Sequence, residues 1–173
     1  YGNTVGNALR RVLLSSMAGV AVTSIRISYI NDDGQEVRVP HEFTSIPDVH
    51  EDVMDIVLNV KKLKFTCDGE LPRTLQIDAD SAGEVTGEKI RVDSNTSVLN
   101  KDHVICTLDK DRHIKMELEI DKGRGYRPSE ENKRDDQPLL TIPVDSLFSP
   151  IERVSYEISS CRKGSDMDMD RLE

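Results

Sequence analysis

Aromatic residues are scarce in this sequence: there is no tryptophan, and phenylalanine and tyrosine together make up 4% of the residues. Proteins that bind single-stranded nucleic acid without sequence preference stack the bases on aromatic side chains. The sequence offers little for such stacking, so this class of nucleic-acid binder is disfavoured.

A surplus of basic residues is also missing. Lysine and arginine number 23 against 32 aspartate and glutamate residues, which gives a net charge of -9. A protein that binds duplex DNA usually presents a basic stripe to the phosphates, and its affinity depends steeply on salt. We therefore expect no direct DNA binding by this chain. The alternative, direct DNA binding, predicts an affinity for duplex DNA that depends steeply on salt.

Cysteines and long apolar runs are few. Cys67, Cys106 and Cys161 are widely separated, and no pair has the spacing of metal ligands. An odd number of separated cysteines is typical of a reduced compartment, so we expect a cytoplasmic protein. No apolar run reaches 18 residues and no secretory signal is recognisable, so we expect no membrane span.

Sequence signatures of catalysis, cofactor binding and metal binding are likewise missing. The glycine pair around Arg124 lacks the Lys-Ser/Thr of a phosphate-binding loop, and no serine stands in a Gly-x-Ser-x-Gly turn. The four histidines lack metal-ligand spacing, and the most conspicuous, His41, fits a surface or packing role better. We expect no catalytic residue, cofactor or metal. The alternative is a stand-alone metal- or nucleotide-dependent enzyme, which tight binding of either ligand would favour.

An amphipathic helix is predicted over residues 4–17, with Asn3 or Thr4 as its cap. Its opposite side carries Leu14 together with two arginines, Arg10 and Arg11. This side is either a contact surface or a solvated face with an isolated leucine, and both alternatives stay open. The apolar face consists of Val5, Ala8, Leu9, Val12, Leu13 and Met17.

A second helix is predicted over residues 48–63, with Asp48 as its cap and Glu51 completing a capping box. Besides its core stripe it has a second strip, formed by Met54, Leu58 and Lys61. Two strips on one helix indicate either a partner on the second side or a helix buried within its own domain. Periodicity alone slightly favours the latter.

The remaining pattern predicts short strands, which makes the chain an α+β protein with mostly antiparallel strands. A strand over residues 20–30 leads into the turn Asn31-Asp32-Asp33-Gly34, and residues 35–39 are expected to return as its partner. Residues 129–137 are almost all polar and are expected to form a mobile loop. Further strands are expected within residues 74–77, 90–92, 104–108, 114–120, 139–144 and 154–158.

The run YGNTVGNALRRVLLSS, residues 1–16, resembles the first helix in the N-terminal domain of the bacterial DNA-directed RNA polymerase α subunit. The run HEFTSIP, residues 41–47, with Glu51-Asp52-Val53 and Leu58-Asn59-Val60-Lys61, resembles the lead-in and second helix. Two further motifs are Gly123-Arg124-Gly125-Tyr126 with Pro128, and Val144-Asp145 with FSPIERV, residues 148–154. All these motifs stand in family order.

The resemblance implies a two-lobed fold in which a dimerisation lobe is interrupted by an inserted α+β lobe. Residues 1–18 and 150–173 would form the dimerisation lobe, and residues 19–149 the inserted lobe. Relative to the family, the strand before the first helix, the long C-terminal helix and the DNA- and activator-binding C-terminal domain are missing. We therefore expect a fragment that dimerises less stably. The hairpin within residues 31–39 is longer than in the family.

The resemblance also implies a function and a set of contact residues. Family members are non-catalytic scaffolds: two α copies dimerise and then hold the large β and β′ subunits. By position, Arg11 and Leu14 match β contacts, and His41 lies near the same surface. Lys61 and Val144 match β′ contacts. The dimerisation helix would present Val5, Leu9, Val12 and Leu13 to the second copy.

Overall fold

The computed structural model describes the backbone of residues 1–173 and all side chains except those of residues 163 and 166–168. The helices are α1 Gly2–Ser16, α2 Val53–Lys61 and the single turn α3 Ser129–Asn132, with a 3-10 turn at Gly87–Lys89. The strands are β1 Ala18–Ile30, β2 Glu36–Arg38, β3 Phe65–Cys67, β4 Arg73–Ala79, β5 Gly83–Thr86, β6 Ile90–Arg91, β7 Thr96–Val98, β8 Val104–Leu108, β9 Ile114–Arg124, β10 Tyr126–Arg127, β11 Ile142–Pro143, β12 Ser146–Leu147, β13 Ile158–Lys163 and β14 Asp166–Leu172.

One antiparallel sheet organises the fold around its longest strand, β1. The strand order is β6-β4-β9-β1-β3-β7, and β2 and β11 also pair with β1. Separate two-stranded ribbons are formed by β5 with β8, β10 with β12, and β13 with β14. The α+β class with mostly antiparallel strands is therefore confirmed, whereas the division into two lobes stays a prediction.

The hydrophobic core lies between the inner face of this sheet and helix α2, which contacts β1 and β8. Ile25 and Ile27 of β1 point into the core, and they alternate with outward side chains because successive residues of a strand face opposite sides. Ile56 and Val60 of α2 belong to the same cluster and are fully buried. Burying each such side chain stabilises the fold by about 1.5–3 kcal/mol.

Helix α1 packs against the β13–β14 ribbon through two glycines on one side of the helix. A Cβ at Gly6 would lie 2.6 Å from the ring of Tyr156, and one at Gly2 would lie 3.2 Å from Ile158. Residues four apart share a helix face, so the two glycines let the helix backbone approach the ribbon closely.

The start of α1 differs from its prediction. The helix begins at Gly2 rather than at residue 4, and neither Asn3 nor Thr4 caps it. Instead the backbone N–H of Gly2 donates to Asp170 Oδ2 at 2.9 Å, and this hydrogen bond lowers the pKa of the Asp170 carboxyl. A carboxylate at a helix N-terminus is favourable. This one comes from β14, far along the chain, so the local sequence does not reveal it.

The start of α2 was also predicted wrongly, at Asp48 instead of Val53. Asp48 has φ of 61°, in the left-handed region, so no right-handed helix can include it. Glu51 does not complete a capping box. Its carboxylate accepts hydrogen bonds from the backbone N–H and hydroxyl of Thr107 at 2.7 and 3.1 Å.

The hairpin predicted after β1 is confirmed. Asn31 Oδ1 accepts from the backbone N–H groups of Asp33 and Gln35 at 3.1 and 2.8 Å, and Gly34 adopts φ of 78°. Strand β2 then pairs with the end of β1. An asparagine that closes a turn through its own side chain is a local effect, so the sequence suffices to predict it.

Three segments beyond residue 128 differ from their predictions. The polar stretch 129–137 contains α3, and its Asn132 is buried. The strand expected within 139–144 is limited to β11. The strand expected within 154–158 begins only at Ile158 and pairs with β14. In the part of the chain described here, no helix has both the length and the hydropathy needed to cross a membrane.

Candidate functional site

A face of α1 beside the glycine side that packs on the ribbon is exposed and apolar. Val5, Leu9 and Val12, spaced four and three residues apart, are 48%, 51% and 55% exposed. Arg11 is exposed, and Leu14 is half-buried. Leu13, assigned to the same apolar face as Val5, is half-buried as well. A row of three half-exposed aliphatic side chains is a surface that a second protein can cover.

Helix α2 likewise has a buried face and an exposed strip. Its inner face is filled by core residues, while Met54 and Leu58 are 42% and 47% exposed. Lys61, one turn after Leu58, is half-buried. Of the two alternatives left open by periodicity, the structure excludes a helix buried on both sides.

The two positions assigned to β′ contact, Lys61 and Val144, are neighbours in space. Lys61 Nζ lies 3.6 Å from Asp145 Oδ2, the residue after Val144. The backbone N–H of Ser129 donates to the other oxygen of Asp145 at 2.8 Å. That hydrogen bond, helped by the Lys61 ammonium, lowers the pKa of the Asp145 carboxyl. Lys61 and Asp145 therefore form an ion pair beside the exposed strip of α2.

Val144 itself is buried and cannot offer its side chain to a partner. Its side chain is 1% exposed, its N–H donates to Thr23 O at 2.9 Å, and its carbonyl accepts from Asn132 Nδ2 at 2.7 Å. Thr23 is the extra residue of a β-bulge in β1. Asp145, the next residue, is the one whose side chain is available for contact with a partner. It belongs to the same motif, but the sequence patterns did not single it out.

His41 occupies a short exposed turn before α2. Its Nδ1 accepts the backbone N–H of Phe43 at 3.2 Å, and its carbonyl accepts the hydroxyl of Thr44. Phe43 is 74% exposed, and its ring centroid lies 6.1 Å from that of His41. An exposed aromatic residue is a common anchor in protein interfaces. Because the sequence has so few aromatic residues, the one in this motif, Phe43, could have been singled out from the sequence.

Two motifs that are distant in sequence meet next to the end of α1. Strands β10 and β12 pair, and the N–H of Phe148 donates to Gly125 O at 2.8 Å. The buried ring of Phe148 lies beneath the guanidinium of Arg127, 4.7 Å from its centroid. A Cβ on Gly19, three residues after α1, would lie 1.9 Å from the Phe148 carbonyl oxygen. The start of β1, directly after α1, therefore packs closely against the backbone of Phe148.

Two side chains of types common in catalysis, Cys106 and His103, are held by the fold. Burial, with the nearby charge of Glu51, raises the pKa of Cys106 to about 12, so its thiol stays protonated at neutral pH. His103 Nε2 lies 2.8 Å from Asn59 O near the end of α2. Among the side chains that the structure describes, no group of three or more His, Cys, Asp or Glu could hold a metal ion.

An antiparallel sheet covered on one face by α2, with exposed apolar strips on α1 and α2, is a structure suited to contacts with other proteins. The family model described as RNA polymerase Rpb3/RpoA insert domain matches residues 25–149. The chain belongs to this RNA polymerase Rpb3/RpoA family, and it is accordingly a subunit that works together with other subunits in an RNA polymerase complex.

Proposed function

We propose that the chain is the assembly domain of the α subunit of a bacterial DNA-directed RNA polymerase, acting in the cytoplasm. In this role it is a non-catalytic scaffold: it pairs with a second α copy and holds the β and β′ subunits for transcription. The observation that carries the proposal is the exposure on α1 of Arg11 and of the row formed by Val5, Leu9 and Val12, at positions that match family contacts, together with the exposed strip of α2 beside Lys61.

The dimerisation lobe in this proposal consists of residues 1–18 and 150–173. The packing of α1 on the β13–β14 ribbon supports it, because this brings the two sequence ends into one unit. The family match over residues 25–149 leaves both ends outside. The exposed row formed by Val5, Leu9 and Val12 would meet the second copy, with the half-buried Leu13 at its margin.

The β subunit in this proposal docks on Arg11 and Leu14 of α1, with His41 and Phe43 adding a second contact. The β′ subunit docks on the α2 strip beside Lys61 and Asp145. In the assembled enzyme, each of the two copies would use mainly one of these surfaces. Arginine and aromatic residues are over-represented among residues that dominate interface energies, which suits Arg11 and Phe43.

Replacing Arg11 with alanine is expected to weaken binding to β by about 2 kcal/mol or more, roughly thirtyfold, because a desolvated guanidinium is lost from the interface. The affinity is measured by titrating purified β with the protein. Arg10→Ala is the matched control, since the neighbouring arginine points towards the 153–158 segment. Equal affinities of the Arg11 variant and the unchanged protein would refute the role of Arg11.

Replacing Lys61 with alanine is expected to weaken binding to β′ about tenfold while leaving binding to β unchanged, because the lysine faces only the β′ surface. The stability of the fold should change by less than about 1 kcal/mol, since both partners of the ion pair are partly exposed. Lys62→Ala, at the exposed next residue, is the control. A similar loss for β and β′, or an equal loss for the Lys62 variant, would contradict the assignment.

A further inference from the structure

A trough of about 350 Å³ lies on the outer face of the main sheet, on the side opposite α2. It crosses five strands, β6, β4, β9, β1 and β2, and the segment around Leu139 forms one of its sides. None of the docking residues assigned above lines it. The trough is therefore separate from the surfaces proposed for the large subunits.

The register of the strands places two cations on either side of one hydroxyl group. Ser28 of β1 is directly opposite Lys115 of β9 and directly opposite Arg38 of β2. Side chains directly opposite each other in antiparallel strands have Cβ atoms about 4.5–5.5 Å apart. Lys115, Ser28 and Arg38 therefore form one row of donors across three adjacent strands.

The other charges of the trough neutralise one another. Arg26 forms an ion pair with Glu117, and Arg91 Nη2 lies 2.9 Å from Asp78 Oδ2. Asp78 of β4 is directly opposite Lys115, but its two carboxylate oxygens lie 2.9 Å from Arg91 Nη2 and 3.5 Å from His113 Nε2, and Glu36 lines the trough two residues before Arg38. Among the described side chains, no carboxylate lies within ion-pair distance of Lys115 or Arg38. The row is thus a local exception in a chain of net charge -9.

An apolar shelf borders the same trough. Leu139 is 84% exposed and Leu140 is 42% exposed, and both contribute to its lining. The segment that carries them is tied to the outer face, because Arg134 pairs with Glu119 at 3.0 Å and Gln137 Nε2 donates to Ser24 Oγ at 3.4 Å. The shelf is therefore anchored beside the row of donors.

We propose that this trough binds an acidic, extended segment of a partner protein. A carboxylate of that segment lies between Lys115 and Arg38 and accepts from the Ser28 hydroxyl, and a neighbouring aliphatic side chain packs on Leu139. Charge complementarity carries the choice, because two cations without an ion-pair partner, beside an apolar shelf, match alternating acidic and aliphatic side chains. The trough extends across five neighbouring strands, which suits an extended peptide chain better than an enclosed small molecule.

The test uses a fluorescein-labelled octapeptide of alternating aspartate and leucine, titrated against the full chain by fluorescence anisotropy. The unchanged protein is expected to bind the peptide, and Lys115→Glu and Arg38→Glu are each expected to weaken binding about fivefold. Leu139→Ser should also weaken it. Lys101→Glu, which reverses the charge of an exposed lysine outside the trough, should leave the affinity unchanged.

Circular dichroism of each variant must match that of the unchanged protein, so that a loss of binding is not a loss of fold. No binding to the unchanged protein would overturn the proposal, as would an equal loss for the Lys101 variant. Tighter binding of a labelled oligothymidylate of the same charge, with the same dependence on Lys115, would also overturn it in favour of nucleic acid.

Discussion

Replacing Gly19 with alanine is expected to lower the free energy of unfolding by about 3 kcal/mol or more. The new Cβ would lie 1.9 Å from the carbonyl oxygen of Phe148 and 3.1 Å from its carbonyl carbon. These are backbone atoms, and the Phe148 backbone N–H is itself hydrogen-bonded to Gly125, so it cannot move aside without breaking the β10–β12 region. The clash therefore separates the two family motifs that meet there.

Urea unfolding followed by circular dichroism measures this effect through the midpoint and slope of the transition. The control is Gly34→Ala, where a Cβ meets nothing within 4 Å but the backbone has φ of 78°. That substitution should cost only about 1 kcal/mol, the strain of a left-handed alanine. If the Gly19 variant were as stable as the Gly34 variant, the close contact with Phe148 would not exist in solution.

Replacing Arg112 with alanine is expected to destabilise the fold by about 3 kcal/mol, because one guanidinium joins three separate segments. The Arg112 side chain is 8% exposed and donates to Asp48 Oδ2, to the carbonyl of Ile30 at 2.7 Å and to Asp32 Oδ1 at 2.8 Å. The hydrogen bonds with Asp32 and Asp48 raise the pKa of Arg112. Removing it leaves the half-buried Asp48 carboxylate without its main partner.

Lys110→Ala is the matched control, since Lys110 is 78% exposed and its Nζ lies 4.0 Å from Asp48. It should change stability by less than about 1 kcal/mol. The urea midpoints of the two variants are compared. Equal midpoints would show that Arg112 contributes no more to stability than a surface charge.

Arg112 also links the hairpin of residues 31–39 to the rest of the fold. The turn residue Asp32 reaches the guanidinium, so the hairpin is bonded to the connection between β8 and β9. Because Asp32 is 93% exposed, this link is the weakest of the three. The hairpin is therefore bonded to a neighbouring segment through its turn.

Features set by neighbouring residues could be predicted from the sequence. The Asn31–Gly34 turn, the alternation of β9 and the amphipathic pattern of α1 each depend on local chemistry, and the structure has all three. The antiparallel α+β class follows from such elements. The resemblance in four motifs predicted the RNA polymerase family, and the match over residues 25–149 confirms it.

Features set by distant partners could not be predicted. Asp48 was expected to cap a helix, but it has a left-handed backbone conformation outside the helix, and its carboxylate accepts from the distant Arg112. The polar stretch around α3 was expected to be a loop, yet Asn132 is buried because Val144 and Ser146 satisfy its amide. Periodicity also cannot show that Lys61 meets Asp145. That pair arises only when α2 and the segment before β12 come together.

The most direct test of the account is to purify the tagged protein from the cells that produce it and to assay the eluate for RNA synthesis on a DNA template. The account predicts that β and β′ are recovered together with the protein, and that the eluate makes RNA. It predicts further that β is depleted when the protein carries Arg11→Ala, whereas Arg10→Ala retains it. Recovery of the protein without either large subunit, and without RNA synthesis, would contradict its role as an RNA polymerase scaffold.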